Sequence, residues 1–207
     1  MTRRIALTGG IATGKSHVRA RFEALGLPTI DADTLARRAV DPGTAGLAAV
    51  TARFGAEVLD ADGALDRRKV ADVVFADAQA RRDLEHIVHP FVRQAIDDWF
   101  ASLDETGRPV GIADIPLLYE TGREADFDAV VVVACEPATQ LARVMARDGL
   151  SEAEAQLRIA AQLPIEEKIR RAEYVIRTDG SLDETDVQVR AVLDAVRAGG
   201  GHEPGRI

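Results

Sequence analysis

The stretch "GGIATGKS", Gly9 to Ser16, decides the fold of this chain. It matches the pattern G-x-x-x-x-G-K-[ST], follows the apolar run "RIAL" at 4–7 and leads into the helical pattern "KSHVRARFEAL". In this pattern the glycines let backbone N–H groups face a phosphate, the lysine reaches the outer phosphates, and the serine hydroxyl can ligate Mg²⁺. The sequence therefore predicts a P-loop that binds a nucleoside triphosphate.

Lysine usage supports this interpretation. The 26 Lys and Arg residues include three lysines, Lys15, Lys69 and Lys168, and one of them stands where the P-loop needs a compact point charge.

Strand-like and helix-like patterns alternate along the chain. Short apolar runs predict buried parallel strands at 4–7, 27–30, 110–115, 129–135 and 174–177. The long interval between the second and third runs contains helical patterns near 45–54, 67–75 and 78–101. We therefore predict an α/β fold, a five-stranded parallel sheet flanked by helices, with a helical insertion after the second strand.

Composition narrows the class of partner. The 207 residues carry a formal net charge of −8, which argues against a general binder of nucleic acid or of anionic membranes. No apolar run approaches the ~20 residues of a membrane span. The single cysteine, Cys135, lies in an apolar run and fits a reduced compartment, so a cytoplasmic location is expected. No apolar stripe stands out from the core pattern, so the oligomeric state cannot be predicted.

Three classes of P-loop protein compete at this point: a small-molecule kinase, a GTPase-like switch, and an ATPase motor. The chain contains no asparagine, so it lacks the Asn-Lys-x-Asp motif that reads guanine. A motor needs further sensor elements, for which a chain of this size leaves little room. The kinase class is favoured.

A kinase also needs cations that close over the transferring phosphoryl group. A helix predicted from Pro137 is followed by a second helix with a Ser151/Glu154 capping box. The first helix has the polar side chains Gln140, Arg143 and Arg147, and the second has Arg158 and Gln162; the three arginines are the candidate cations. This arrangement resembles the mobile lid of small P-loop kinases; the alternative is that the arginines are solvated surface residues.

Two aspartates in "PTIDADTLARR" follow the second predicted strand. A carboxylate there could ligate a metal, cap the helix "TLARRAV", or act on a substrate proton. The capping alternative for Asp33 is weakened because residue 36 is alanine, which leaves a capping box incomplete. Asp31 is expected to serve structure.

An ordered set of segments covers about residues 4–195: "LTGGIATGKS", "IDADTLAR", "FG" with "DGALDRRKV", "HIVHP", "DIPLLYE", "QLARVMARDGLS", "QLPIEEKIRRAEYVI" and "DGS". Together they resemble the dephospho-coenzyme A kinases. The resemblance implies a P-loop kinase fold and transfer of a phosphoryl group from ATP, with Mg²⁺, to the ribose 3′-hydroxyl of dephospho-coenzyme A. Coenzyme A and ADP are the products, in the last step of coenzyme A synthesis.

The same resemblance implies a domain organisation. One domain, 1–197, would have a core of 1–34, 108–136 and 166–197, a helical coenzyme A-binding insertion at 35–107 and a helical lid at 137–165. A flexible tail is predicted at 198–207, where Gly and Pro are frequent.

Site residues follow from the resemblance position by position. Asp33 would be the general base or the group that orients the hydroxyl, with Lys15 and Arg143 also catalytic. ATP would contact Gly10, Ile11, Ala12, Thr13, Gly14, Lys15, Ser16, His17, Arg147 and Thr178. Dephospho-coenzyme A would contact Thr8, Asp33, His89, Leu117 and Glu120. Mg²⁺ would be held by Ser16 and, through water, by Asp114, although not every small P-loop kinase depends on such an acid.

Several of these positions have alternatives. His89 could be a core or capping histidine, and Lys168 matches a family lysine but could be a surface or hinge charge. His17 stands where a Thr is usual, Tyr119 where Phe is common, and Thr178 where the family often has Asn near the adenine. A Thr hydroxyl cannot imitate the paired hydrogen bonds of an amide, so the residues here predict phosphoryl transfer without predicting selectivity for ATP. Another small-metabolite kinase and a nucleotide-gated binding protein are the competing functions.

Overall fold

The computed structural model describes residues 1–199. Five strands lie in this part of the chain: β1 Arg3–Gly9, β2 Thr29–Asp31, β3 Val110–Asp114, β4 Ala129–Ala134 and β5 Tyr174–Arg177. The α-helices here are α1 Lys15–Ala24, α2 Ala32–Arg38, α3 Ala45–Phe54, α4 Arg67–Ala76, α5 Ala78–Glu105, α6 Pro137–Asp148, α7 Glu152–Ala160, α8 Ile165–Arg170 and α9 Leu182–Arg197. Single 3₁₀ turns lie at Ala56–Val58 and Glu124–Asp126.

The five strands form one sheet in the order β2-β3-β1-β4-β5. The central strand β1 pairs in parallel with β3 and β4, and β4 pairs in parallel with β5. The predicted five-stranded parallel sheet is therefore confirmed, and all five predicted apolar runs contribute a strand. The carboxyl ends of β1 and β3 lie side by side, since Leu7 is in register with Asp114.

The chain separates into two compact units, Met1–Ile30 with Phe100–Ile207, and Asp31–Trp99. The first unit contains the sheet. Its core consists of the buried strand residues and of side chains from α1 and α9, among them Val18, Phe22, Val189 and Leu193. Burying such side chains is the main stabilising contribution, about 1.5–3 kcal/mol for each.

The second unit is helical and has an apolar cluster of its own. Val40, Val50, Val58 and Val70 are buried there, with partly buried residues of α3, α4 and α5 packed against them. This unit begins and ends earlier in the chain than the insertion predicted at 35–107. Its assignment to coenzyme A binding, the lid at 137–165 and the single domain 1–197 stay predictions.

Local sequence signals account for several helix boundaries. The predicted capping box between Ser151 and Glu154 is present at the start of α7, and a second one joins Ser181 and Glu184 at the start of α9. The last helix ends at Arg197, and residues 200–207 of the predicted tail lie outside the described residues. No helix within 1–199 is both long and apolar enough to cross a membrane.

Candidate active site

The P-loop connects the end of β1 to the start of α1. Two of its glycines are required by geometry. A Cβ at Gly9 would lie 2.5 Å from the carbonyl oxygen of Val133, and Gly14 has the left-handed conformation, with φ 87°, at the N-cap of α1. The glycine spacing of the motif thus lets the loop pass close to β4 and turn into a helix.

Three carbonyl oxygens of the P-loop are hydrogen-bonded by side chains from the C-terminal half of the chain. The bonds run from Lys168 Nζ to Gly9 O at 3.3 Å, from Gln140 Nε2 to Ile11 O at 2.9 Å, and from Thr178 Oγ1 to Thr13 O at 2.7 Å. We call Lys168, Gln140 and Thr178 the carbonyl anchors.

The carbonyl anchors also orient amide groups. In a trans peptide the C=O and the following N–H point in opposite directions. Each anchor therefore turns one N–H, that of Gly10, Ala12 or Gly14, away from itself. Within residues 1–199, no hydrogen-bond acceptor is found for the N–H of Gly14, Lys15 or Ser16. Free amides at the N-terminus of a helix form an anion site, as the sequence predicts.

The P-loop lysine is paired with an acid. Lys15 Nζ donates to the carboxylate of Asp114, whose side chain is 3% exposed, and Arg19 Nη1 lies 3.4 Å from the other oxygen of Asp114. Asp114 comes at the end of β3, where the sequence predicts an acid near Mg²⁺. Two cations therefore compensate its buried charge.

The residues predicted to hold Mg²⁺ are few but of the right chemistry. Ser16 is exposed at the start of α1, and its hydroxyl and the Asp114 carboxylate are hard oxygen donors. Residues 1–199 contain no group of three or more His, Cys, Asp or Glu side chains that could hold a metal. Mg²⁺ is usually bound by one or two protein groups together with substrate phosphates and water, and its binding here stays a prediction.

The Arg143 side chain is hydrogen-bonded to Thr178, one of the carbonyl anchors of the P-loop. Its Nη1 donates to Thr178 Oγ1 at 3.0 Å and its Nη2 to Thr178 O at 2.7 Å. The Thr178 hydroxyl thus accepts from Arg143 and donates to Thr13. Both hydrogen-bonding roles of this hydroxyl are used inside the protein, which leaves it little capacity to read an adenine base.

Arg147 and Arg158 are oriented differently from Arg143. Arg147 donates to both carboxylate oxygens of Asp148, at 2.8 and 3.0 Å, and Arg158 donates to the same side chain at 2.8 Å. Their hydrogen bonds hold the pKa of Asp148 below its ordinary value. Both arginine side chains are 54% exposed, so here they form a surface ion-pair cluster.

Ile11 is bound through both of its peptide groups. Its N–H donates to Gln162 Oε1 at 2.8 Å, while its carbonyl accepts from Gln140. Gln140 lies in α6, and Gln162 lies just past the end of α7 rather than within that helix as predicted. Both ends of the predicted lid therefore contact one P-loop residue.

His17 makes contacts that the sequence did not predict. Its backbone N–H donates to Gly14 O at 3.0 Å, so an α-phosphate would have to compete with this bond. Its Nε2 lies 3.0 Å from Asp186 Oδ1, and Arg21 Nε lies 2.8 Å from the other oxygen of Asp186. The side chain thus faces α9.

The turn that follows β3 contains two residues that were predicted to contact the substrate, Leu117 and Glu120. It also contains Pro116, which is bound by a third predicted residue, Thr8. The Thr8 hydroxyl donates to Pro116 O at 3.2 Å, and Leu117 is 45% exposed. Glu120 Oε1 lies 2.8 Å from Lys168 Nζ and accepts from Leu163 N at 2.9 Å. Glu120 is therefore already engaged inside the protein, and its predicted contact with substrate stays a prediction.

The second unit contains the two aspartates and His89. Asp31, not Asp33, is the N-cap of α2, since its Oδ1 accepts from Thr34 N at 2.8 Å. Asp33 lies exposed in the first turn of α2, two residues beyond the strand. The capping role that was considered for Asp33 thus belongs to Asp31. His89 is exposed within α5, which argues against a core histidine.

Sequence reasoning did not predict that Gln140, Gln162 and Lys168 bind the P-loop backbone. Gln140 and Lys168 donate to carbonyls, and Gln162 accepts from the N–H of Ile11. The surface alternative for Lys168 is wrong, because its side chain is 0% exposed. One signal was available: Lys168 is one of three lysines in an arginine-rich chain.

Comparison with known proteins gives concordant matches. A family model described as CoaE, dephospho-CoA kinase, matches residues 3–184. The dephospho-CoA kinase of Anaeromyxobacter dehalogenans is 51% identical over 95% of this chain and 93% of its own length. Among solved structures, TT1252 from Thermus thermophilus is 36% identical with a TM-score of 0.78, covering 97% of this chain and 99% of its own. Dephospho-CoA kinase from Campylobacter jejuni is 28% identical with a TM-score of 0.75, covering 97% of this chain and 100% of its own.

Proposed function

Because this chain belongs to the dephospho-CoA kinase family, we propose that it transfers the γ-phosphoryl group of ATP to the ribose 3′-hydroxyl of dephospho-coenzyme A. The products are coenzyme A and ADP, so the enzyme acts in coenzyme A biosynthesis. The observation that carries the nucleotide half of this proposal is the P-loop, in which the carbonyl anchors bind three carbonyls and the N–H groups of Gly14, Lys15 and Ser16 have no acceptor within residues 1–199. The family match carries the acceptor half.

The nucleotide is assigned to residues of the first unit. The phosphates contact the P-loop from Gly10 to Ser16. The N–H of His17 becomes a further donor to them once it releases the carbonyl of Gly14. Lys15 exchanges its bond to Asp114 for the outer phosphates and neutralises charge as the phosphoryl group transfers. Arg143 stabilises the same charge through the guanidinium hydrogens that Thr178 does not accept. Arg147 binds the nucleotide after it releases Asp148.

Thr178 supports the nucleotide site through the P-loop backbone. Its hydroxyl is bound to Thr13 and Arg143, so it contributes to phosphate geometry rather than to base selection.

Mg²⁺ is assigned to Ser16 Oγ and, through water, to Asp114. When bound, it would neutralise negative charge on the phosphate oxygens as the bond from the γ-phosphorus to the leaving oxygen of ADP breaks. The buried Asp114 carboxylate already lies beside two cations, Lys15 and Arg19.

The acceptor is assigned to Asp33 together with Thr8, His89, Leu117 and Glu120. Asp33 accepts a hydrogen bond from the 3′-hydroxyl and takes its proton as the oxygen bonds to phosphorus. The exposed Leu117 offers an apolar surface, and His89 offers ring nitrogens to the phosphate groups of the substrate. Cys135 is free and buried, which supports the cytoplasm as the place of action.

An acceptor panel tests the proposal. The purified chain is mixed with Mg·ATP and dephospho-coenzyme A, shikimate, gluconate or no acceptor, and ADP is followed. We expect ADP release at least about 100-fold faster with dephospho-coenzyme A than with the others, as expected when a site is built for one hydroxyl. ADP release without any acceptor would indicate an ATPase, and release with shikimate or gluconate alone would indicate another small-metabolite kinase.

A further inference from the structure

Lys168 carries a charge at a place that water does not reach. It lies in α8, and its side chain is 0% exposed. A buried ammonium is costly unless it is paired and hydrogen-bonded. Lys168 meets both conditions, since its Nζ lies 2.8 Å from Glu120 Oε1 and donates to Gly9 O at 3.3 Å.

Glu120 is a second charged group at this point of the fold. Its Oε1 accepts from Leu163 N at 2.9 Å as well as from Lys168. Burial alone would raise the pKa of Glu120, but these hydrogen bonds outweigh burial and lower it. The carboxylate is therefore ionised at neutral pH, and the two residues form a charged pair.

The pair acts on the first peptide of the P-loop. Gly9 is the last residue of β1, and the carbonyl of Val133 packs against it so closely that no Cβ would fit. Lys168 fixes the orientation of the Gly9 carbonyl, and with it the opposite direction of the Gly10 N–H. A charge-assisted hydrogen bond resists rotation of this peptide more strongly than a neutral one.

Three segments meet at this pair. Lys168 contacts the P-loop, Glu120 belongs to the turn that follows β3, and Leu163 lies between α7 and α8. Replacing a buried ion pair with neutral groups often leaves stability unchanged, so a role in stability alone does not account for it.

We propose that Lys168 is a positioning residue for phosphoryl transfer, which fixes the first peptide of the P-loop, with Glu120 as its counter-ion. Lys168 touches neither substrate. The inference deepens the proposed function and rests on its nucleotide half.

The decisive experiment separates positioning from stability. Lys168→Met removes the ammonium and leaves the partly exposed Glu120 carboxylate without its counter-ion. The double variant Lys168→Met with Glu120→Gln is neutral at both positions and keeps an acceptor for Leu163 N. Binding of ATP without acceptor is measured by calorimetry, and the midpoint of thermal unfolding is measured on the same samples. Lys69→Met is the matched control, because Lys69 Nζ also donates to a carbonyl, that of Leu59 at 2.9 Å, but is exposed.

We expect Lys168→Met to lower the unfolding midpoint and raise the Kd for ATP about 10-fold or more, the size of one lost charge-assisted bond. The double variant should regain most of the midpoint yet keep the raised Kd, and Lys69→Met should bind ATP as the unsubstituted chain does. Recovery of ATP affinity together with stability would overturn the proposal. So would failure of the double variant to fold, since the pair would then be required for folding itself. A chain that binds ATP but phosphorylates no dephospho-coenzyme A would instead refute the proposed function.

Discussion

Lys15 of the P-loop is ion-paired with Asp114 at the end of β3. Arg19 approaches the second oxygen of the same carboxylate at 3.4 Å, and the Asp114 side chain is almost completely buried. The lysine that is expected to meet the outer phosphates is thus bound to an acid, and the phosphates have to compete with this acid for it.

Asp114→Asn is expected to weaken both the fold and the metal site. The substitution keeps the size of the side chain but removes the carboxylate charge beside Lys15 and Arg19, of which Arg19 also pairs with Glu23, so the free energy of unfolding should fall by about 3 kcal/mol. The Mg²⁺ concentration that gives half-maximal activity should rise several-fold. Urea unfolding and a Mg²⁺ titration measure the two effects, with the exposed Asp62→Asn as control. An unchanged Mg²⁺ dependence would contradict the metal role and leave Asp114 as a partner of Lys15 and Arg19 only.

Thr178→Val is expected to weaken ATP and GTP binding by the same factor. The substitution keeps the shape but removes the hydroxyl that bonds to Thr13 O, and a buried carbonyl without its donor costs about 1–3 kcal/mol. Thr178→Ser keeps the hydroxyl and should bind both nucleotides almost normally. Competition binding measures the two Kd values. A change in the ratio of ATP to GTP affinity in Thr178→Val would show that this residue reads the base.

Asp33→Asn is expected to lower kcat by about 10²–10⁴, the usual contribution of a general base, with little change in stability. Asp31→Asn is the matched control, because asparagine is as good an N-cap as aspartate and the bond to Thr34 N can persist. Steady-state rates and urea unfolding of both variants are compared. A fall in kcat of less than about 10-fold in Asp33→Asn would remove Asp33 as the base.

Tyr119→Phe is expected to keep or raise stability. Tyr119 is 5% exposed, and its hydroxyl has no hydrogen-bond partner within residues 1–199. A buried hydroxyl without a partner carries a desolvation cost of about 1–3 kcal/mol, which phenylalanine avoids. The ring can still stack under the Arg171 guanidinium, 4.5 Å from its centroid. Urea unfolding measures the change, and a loss of more than about 1 kcal/mol would mean that the hydroxyl has a partner in solution.

The sequence predicted those parts of the molecule that depend on near neighbours in the chain. Apolar runs located all five strands, and the P-loop motif located the turn from β1 to α1. The helical patterns at 45–54 and 67–75 correspond to α3 and α4, and the capping box of Ser151 marks the start of α7.

The sequence could not predict the carbonyl anchors of the P-loop, because these residues are distant from the P-loop in the chain. Gln140, Lys168 and Thr178 lie 129, 159 and 165 residues from the carbonyls that they bind. Periodicity identifies the buried face of a helix but not which backbone group it meets. For the same reason, the sequence could not predict that Arg147 pairs with Asp148 while Arg143, on the same predicted helix, binds Thr178.

The central claim is that the γ-phosphoryl group of ATP moves to the ribose 3′-oxygen of dephospho-coenzyme A. The most direct measurement uses ATP labelled at the γ-phosphate, the purified chain, Mg²⁺ and dephospho-coenzyme A, with the products identified by mass spectrometry and phosphorus NMR. We expect the label to appear in a 3′-phosphate monoester of coenzyme A, in equal amount to ADP. Label released as inorganic phosphate, or attached at any other position, would contradict it.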